Sequence, residues 1–294
     1  MAIQIVYLRV TDTSPYEMPS HEGPVKVEVW GPGGDGGGNS LTDLSSGCGG
    51  AGGEYAMKVM DITNAQMVNF LISGHGTEGV CWFLNDTTVL AHGGQNGGVS
   101  SAKTQALPIG GGIGDLVHQG GPSGINGQTD PTNGSEYTGG TGGGGGAGPH
   151  GNGGKGADNT PDTNGGGGGG GDGGTPGSGT HGGAGGYLDI GPGGYSTANG
   201  YYDGGGGPRG IGGVPAGLGV AEGDYVPIID GAGPPTPSSA FFGQDGGGGG
   251  GYGGGGAGTG AGNLAHFNSV GGSGTDGLIK LTFSSRGWSH HSVC

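Results

Sequence analysis

Residues 139–156, "GGTGGGGGAGPHGNGGKG", place glycine at every third position, namely at 139, 142, 145, 148, 151 and 154. A polyproline II helix has three residues per turn and no internal hydrogen bonds, so glycine at this period leaves one edge of the helix without side chains. Neighbouring helices can then approach closely and join through backbone N–H and C=O groups and Cα–H···O contacts. The period therefore predicts a bundle of short polyproline II helices.

The composition of the chain supports this interpretation. Glycine accounts for 90 of 294 residues and hydrophobic residues for only 29%, whereas an average domain has about 7% glycine and is nearly half apolar. Glycine loses the most backbone entropy on folding, so burial of an ordinary core cannot order such a chain. A disordered linker is the alternative to the bundle, although the charged fraction of 11% is untypical of charge-driven disorder. Collagen does not fit, because the G-X-Y frame breaks and the 17 prolines are scattered.

The same period recurs in later glycine-rich stretches at 165–177, 204–219, 247–256 and 271–277. Long glycine runs satisfy any period, so the mixed stretches 139–156 and 204–219 carry the information. The glycines predicted to lie on helix contact edges are Gly139, Gly142, Gly145, Gly148, Gly151, Gly154, Gly204, Gly207, Gly210 and Gly213.

Strand patterns occur towards both ends of the chain. The clearest is "VKVEVW" at 25–30, where three valines alternate with Lys26, Glu28 and Trp30, which predicts a half-buried strand. The other predicted strands are "IQIVYLRV" (3–10), "EYAMKVM" (54–60), "MVNFLIS" (67–73), "VCWFL" (80–84), "TTVLA" (87–91) and "GLIKLTF" (277–283). Polar connections predict one hairpin between 54–60 and 67–73 and another between 80–84 and 87–91. No useful helical period appears, and the two chain ends are expected to build one β-sandwich.

The order of these elements resembles the glycine-rich domains of bacteriophage tail-fibre and adhesin proteins. The matching segments are "VKVEVWGPGGDGGG", "GGAGGEYAMKVM", "VLAHGGQNGG" and the closing "GTDGLIKLTF". The extracellular glycine-rich domain of the anaplastic lymphoma kinase receptor is similar in the same way. The resemblance covers residues 25–283 and implies a TNF-like, jelly-roll-like β-sandwich with polyproline II helices threaded through it.

These observations predict an all-β plus polyproline II fold in three parts. Residues 1–24 form an N-terminal strand or attachment segment, 25–283 form the glycine-rich β-sandwich with its bundle, and 284–294 form a C-terminal tail. By resemblance to TNF-like sandwiches and phage fibres the protein is expected to be a homotrimer, although a self-contained glycine bundle can also be a monomer that caps a trimeric fibre.

The net charge and the first residues of the chain limit which partners and which location are expected for the protein. The net charge of −15 disfavours binding to nucleic-acid phosphates and to anionic membranes. The first residues lack the basic region of a signal peptide, and no stretch is long and apolar enough to span a bilayer. A virion component that is assembled in the host cytoplasm is therefore expected, with other virion subunits as partners.

Catalytic and metal-binding patterns are weak. G-x-G-x-x-G matches are frequent by chance in a glycine-rich chain, and no nucleophile elbow or metalloprotease motif is present, so no enzyme, cofactor or metal is predicted. A zinc site at His290, His291 and Cys294 lacks a fourth ligand, and a mobile tail is preferred. Asp158 and Asp162 lack EF-hand spacing and fit a solvated turn better. The cysteines are expected to be free thiols, with a Cys48–Cys81 disulfide as the alternative.

Loop tips are the remaining candidates for binding, because connections on a rigid scaffold often carry function. Aromatic residues flanked by small polar ones suit recognition, and the predicted receptor-binding residues are Tyr195, Asn199, Tyr201, Tyr202, Asp203 and His150. Packing between the helices and the sandwich is the alternative for Tyr201 and Tyr202 and the preferred interpretation for Phe241 and Phe242.

Three functions remain on these grounds. The leading hypothesis is a phage tail-fibre or adhesin protein that binds a host-surface receptor through these loops. The second is a structural fibre, spacer or capsid decoration protein without a receptor. The third, an ice-binding bundle, ranks last because regular threonine rows are absent.

Overall fold

The computed structural model describes residues 2–37, 46–100, 104–125, 141–158, 169, 171–177 and 272–285. Within these ranges every regular element is a β-strand and all strand pairs are antiparallel. The strands are β1 (Ala2–Leu8), β2 (Tyr16–Glu17), β3 (His21–Trp30), β4 (Ser46–Gly47), β5 (Tyr55–Met60), β6 (Met67–Val68), β7 (Phe70–Leu71), β8 (Val80–Phe83), β9 (Val89–His92), β10 (Val99–Ser100), β11 (Leu116–His118) and β12 (Leu278–Ser285).

A five-stranded sheet joins the two ends of the chain. Its strand order is β1-β12-β3-β5-β11. β12 lies between β1 and β3, with Ile279 opposite Leu8 on one side and Val29 on the other. The predicted strands at 3–10, 25–30, 54–60 and 277–283 are all present in this sheet, in which strands from the two ends of the chain lie side by side.

The second largest sheet has the order β7-β8-β9. Its β8–β9 hairpin, with Phe83 opposite Val89, confirms the hairpin predicted between 80–84 and 87–91. The predicted hairpin between 54–60 and 67–73 is wrong. The segment 67–73 divides into β6, which pairs with β2, and β7, which pairs with β8, while β5 pairs with β3 and β11.

The main hydrophobic core draws on both of these sheets. From the five-stranded sheet it takes residues such as Val27 and Leu281, and from the three-stranded sheet residues such as Phe83 and Ala91. A smaller cluster packs Trp30, Tyr55, Ala147 and Leu278 together, with the rings of Trp30 and Tyr55 5.0 Å apart. Ala147 therefore ties a glycine-rich segment to the sheet.

The alternation predicted for β3 needs one correction. Val25, Val27 and Val29 are buried as expected, but Glu28 and Trp30 on the opposite face are buried as well. Trp30 packs in the smaller cluster, and Glu28 is covered by Tyr55 and two lysines. This strand is therefore enclosed on both faces near its end.

Three glycine-rich segments, 31–37, 48–54 and 92–98, bond to one another pairwise; we call them the first ring. Their backbone hydrogen bonds, 2.7–3.0 Å long, recur at every third residue. From 31–37 to 48–54, the N–H groups of Gly31, Gly34 and Gly37 donate to the carbonyls of Glu54, Ala51 and Cys48, respectively. From 48–54 to 92–98, the N–H groups of Cys48, Ala51 and Glu54 donate to the carbonyls of Gly98, Gln95 and His92. From 92–98 back to 31–37, the N–H groups of Gly94 and Gly97 donate to the carbonyls of Pro32 and Asp35.

A second ring repeats this arrangement with segments 119–124, 142–148 and 151–157. From 119–124 to 142–148, the N–H groups of Gly121 and Gly124 donate to the carbonyls of Gly145 and Gly142, respectively. From 142–148 to 151–157, the N–H groups of Gly142, Gly145 and Gly148 donate to the carbonyls of Ala157, Gly154 and Gly151. From 151–157 back to 119–124, the N–H groups of Gly153 and Gly156 donate to the carbonyls of Gln119 and Pro122. The two rings are joined by further bonds, from Gly52 to Gly121, from Gly144 to Gly50 and from Ala147 to Gly53.

Close backbone approach explains why these segments need glycine. At many ring positions a Cβ atom would lie closer than 3.0 Å to a carbonyl oxygen of a neighbouring segment; examples are Gly34, Gly52, Gly97, Gly120, Gly144 and Gly153. Real Cβ atoms essentially never approach other atoms so closely. At these positions alanine would force the segments apart.

Candidate functional site

His150 lies in a tight turn at the end of the second ring. Gly148 and Gly151 exchange two backbone hydrogen bonds of 3.1 and 3.3 Å, which reverses the chain over "GPHG". The His150 side chain is 46% exposed. This turn is the one predicted receptor-binding position that falls within the described residues.

Asp172 holds this turn in place. One carboxylate oxygen accepts a 2.6 Å hydrogen bond from the His150 backbone N–H, and the other lies 2.5 Å from Nδ1 of the His150 ring. Asp172 is only 2% exposed and has a left-handed backbone with φ of +52°. Such a backbone costs a non-glycine residue about 1–3 kcal/mol, and the two bonds to His150 offset that cost.

The turn is also connected to the β-sheet through His118 at the end of β11. The His118 Nδ1 atom is 2.7 Å from the Gly148 carbonyl oxygen, and its ring stacks on Tyr55 with centroids 6.2 Å apart. The Tyr55 hydroxyl in turn donates a 2.9 Å hydrogen bond to Glu28. The exposed turn is thus supported by contacts that reach into the sheet.

Glu28 is a buried carboxylate with three partners. Besides the Tyr55 hydroxyl, Lys26 lies 2.9 Å from one of its oxygens and Lys280 lies 3.1 Å from the other. Burial acts to raise the pKa of Glu28, but the hydrogen bond from Lys26, the charge of Lys280 and the Tyr55 hydroxyl outweigh it and lower that pKa. Burial, and then the negative charge of Glu28, raises the pKa of Tyr55. Glu28 is therefore ionised and structural.

A second Asp–His pair of the same kind lies beside the first ring. The Asp35 carboxylate is 2.8 Å from His75 Nδ1 and accepts a 2.8 Å hydrogen bond from the Gly274 N–H. The His75 N–H donates to Asp276. Both side chains of the pair are partly exposed. Like His150, His75 is an imidazole in a glycine-rich turn that is held by an aspartate from a glycine-rich segment.

Asn96 fastens the loop around His75 to the first ring. Its side-chain oxygen accepts from the Asp35 N–H at 2.8 Å, and its side-chain amide donates to the Gly76 carbonyl at 2.7 Å. The Asn96 N–H donates to the Glu78 carboxylate at 2.9 Å. Polar groups therefore fasten the loop to the first ring, together with a 3.1 Å backbone hydrogen bond from the Gly76 N–H to the Gly33 carbonyl.

Most of the predicted recognition residues lie outside the described ranges. Tyr195, Asn199, Tyr201, Tyr202 and Asp203 lie outside the described residues, as do Phe241 and Phe242. Of the predicted contact-edge glycines, Gly139, Gly204, Gly207, Gly210 and Gly213 also lie outside them. Gly142, Gly145, Gly148, Gly151 and Gly154 are described, and all five take part in the hydrogen bonds between segments 142–148 and 151–157.

The described metal-ligating side chains have other partners. Asp158 lies 2.6 Å from Lys155 Nζ and accepts from the Ile125 N–H at 2.7 Å. Within the described ranges, no group of three or more His, Cys, Asp or Glu side chains could hold a metal ion. Asp162, His290, His291 and Cys294 lie outside those ranges.

The Cys48–Cys81 disulfide that the sequence left open does not form, since both residues are buried free thiols. Cys48 packs in the bundle, where its sulfur lies 3.2 Å from the Ser123 hydroxyl. Cys81 lies in the main core, and burial raises the pKa of its thiol to about 12. Neither thiol is therefore suited to act as a nucleophile.

Sequence reasoning missed Asp172, Asp35 and His75. A signal was available, because Asp35 and Asp172 are single aspartates within glycine runs, "GGDGGG" and "GGDGG". A carboxylate in such a run can accept hydrogen bonds from exposed N–H groups of a neighbouring turn. What the pattern does not reveal is which turn supplies them.

Two comparisons of the sequence with known proteins give no match. The chain matches no protein-family model, and a search of curated proteins found none significantly similar to it. Among the described residues, no helix has the length and apolar character needed to cross a lipid bilayer.

Proposed function

We propose that the glycine-rich segments are polyproline II helices inserted into a TNF-like β-sandwich. The direction of hydrogen bonding along 48–54 supports this. Residues 48, 51 and 54 donate to 92–98, Gly52 donates to 119–124, and the Gly50 and Gly53 carbonyls accept from 142–148. Backbone hydrogen bonds that point in the same direction at every third residue indicate three residues per turn, which is the geometry of polyproline II. The shared core of the two larger sheets supports the sandwich.

On this scaffold, we infer that the protein is a non-enzymatic virion component of a bacteriophage. Its proposed role is that of a tail-fibre or adhesin protein that binds a host-surface receptor through turns and loops at the ends of the bundle. The resemblance in element order motivates the role. The single observation that carries it is the His150 turn, in which a half-exposed imidazole is held by the buried Asp172. A preorganised tip loses little entropy on binding.

Adsorption of the intact phage to its host tests this proposal. Exchanging residues 195–203 between related phages is expected to change host range, and His150→Ala is expected to slow adsorption at least fivefold. Val59→Ala is the matched control, since Val59 is exposed on β5 and lies in the sheet rather than in a turn. Unchanged adsorption with both tip changes, in particles of normal protein content, would contradict receptor binding by these loops.

A structural spacer or capsid decoration protein is the second candidate. It is favoured by the internal pairing of His75 and His150 with aspartates, because a residue that only braces a turn needs no receptor. Electron microscopy of antibody-labelled particles separates the two roles. A distal fibre position supports adhesion, whereas a position on the capsid, collar or tail tube supports the spacer.

A further inference from the structure

The outer strand β1 presents an unusual edge. Among the described residues β1 pairs with β12 alone, and no described strand pairs with its other edge. Natural edge strands are commonly protected by charged residues, proline or bulges. Ala2–Leu8, "AIQIVYL", contains no charged residue and no proline, and its seven pairs with β12 run without a register shift.

Three large apolar side chains of β1 face outward on the sheet. Ile3 is 74% exposed, Ile5 50% and Tyr7 38%. Their neighbours across β12 are Ser284, Thr282 and Lys280, so this apolar strip stops at the second strand of the sheet. An apolar strip that coincides with an unpaired edge is typical of strand addition, in which another extended segment continues the sheet.

We propose that this edge joins two copies of the chain by antiparallel pairing of β1 about Ile5. The sequence of β1 is self-complementary in that register. Ile5 lies opposite Ile5 of the second copy, and Ile3 lies opposite Tyr7 in both directions. Directly opposed residues in an antiparallel pair share a face, so all three outward side chains meet an apolar partner.

The net charge of the molecule also favours contact between two copies at the β1 edge. Each molecule carries a net charge of −15, and two such molecules repel one another. The uncharged β1 edge is a surface on which two copies can meet without opposing carboxylates. Salt screens the remaining repulsion, so pairing should strengthen with ionic strength. A seven-residue edge covers far less than the roughly 800 Å² per partner of a standard interface, so the dimer should dissociate on dilution.

The test is sedimentation of the full-length chain from micromolar to near-millimolar concentration, at low and moderate salt. The unaltered chain should form dimers at the upper concentrations. Ile5→Lys places two lysines opposite each other at the two-fold axis and should weaken self-association at least tenfold. Val59→Lys is the control, because Val59 is 49% exposed and occupies the same cross-strand row as Ile5, through Lys26 and Thr282.

A charge exchange then tests the register. Ile3→Lys and Tyr7→Glu should each weaken the dimer, and the double variant should recover it, because each substituted lysine faces a substituted glutamate of the other copy. Circular dichroism and thermal unfolding verify that every variant folds. The proposal is overturned by a chain that stays monomeric at all concentrations, by a dimer or trimer that Ile5→Lys leaves intact, or by a double variant no better than the single ones.

Discussion

At the scale of single residues, the role of a glycine depends on what surrounds its Cα atom. Gly97 and Gly98 are adjacent but differ in this respect. A Cβ atom on Gly97 would lie closer than 3.0 Å to the carbonyl group of Cys48, whereas a Cβ atom on Gly98 would meet nothing within 4 Å. The requirement for glycine in the bundle therefore comes from close packing at particular positions and not from composition as a whole.

The neighbouring glycines give a matched pair of variants. Gly97→Ala should lower the free energy of unfolding by about 2–3 kcal/mol, because the added methyl group displaces a backbone segment. Gly98→Ala should leave it unchanged or raise it by up to about 1 kcal/mol, since alanine restricts the unfolded chain. Urea unfolding measures both. Equal losses in the two variants would show that the close approach at Gly97 is not what glycine provides.

Two buried glutamates should give the free energy of unfolding opposite dependences on pH. Burial raises the pKa of Glu54, although hydrogen bonds from the backbone of His92, Gly112 and Gly111 oppose the shift. Folding therefore favours the neutral form of Glu54, and its contribution to stability should rise as the pH falls through its folded pKa. The pKa of Glu28 is lowered. Its contribution should be present above the unfolded pKa and be lost as the pH falls through the lower folded value.

Substitution by glutamine separates these two contributions. Relative to the unaltered chain, Glu54→Gln should lose stability progressively as the pH is lowered, because only the natural chain gains from protonation. Glu28→Gln should show its largest deficit near neutral pH and a shrinking deficit in acid. Unfolding free energies measured from pH 7 down to about pH 3 provide the comparison. Two difference profiles with the same sign of slope would contradict the assigned shifts.

At the scale of elements, strands and hairpins that depend on local sequence signals could be predicted, whereas pairings between distant segments could not. Strand β3 and the β8–β9 hairpin were predicted because alternation and a short polar connection are local signals. The segment 67–73 was predicted as one strand, but it divides between β6 and β7 in two sheets, and such a choice of partners is non-local. The same limit applies to the site. His150 was selected from its own loop, whereas Asp172, 22 residues further along, was not.

At the scale of the whole molecule, the two rings should unfold together. Segment 48–54 of the first ring links them, because it bonds to both other segments of its own ring and also to two segments of the second ring. With few apolar side chains in the bundle, each backbone segment depends on its neighbours for its hydrogen bonds. Damage at one segment should therefore spread through the network instead of remaining local.

Native-state amide exchange in Gly97→Ala tests this coupling. Gly97 belongs to the first ring, and the Gly145 N–H bonds to Gly154 within the second. We expect the free energy of exchange to fall by the same amount at Gly145 as at Ala51 in the first ring, because a cooperative unit opens as a whole. Gly98→Ala should lower the free energy of exchange at neither amide. If Ala51 loses protection while Gly145 keeps it, the rings are separate folding units, and the rigidity of the His150 turn does not depend on the first ring.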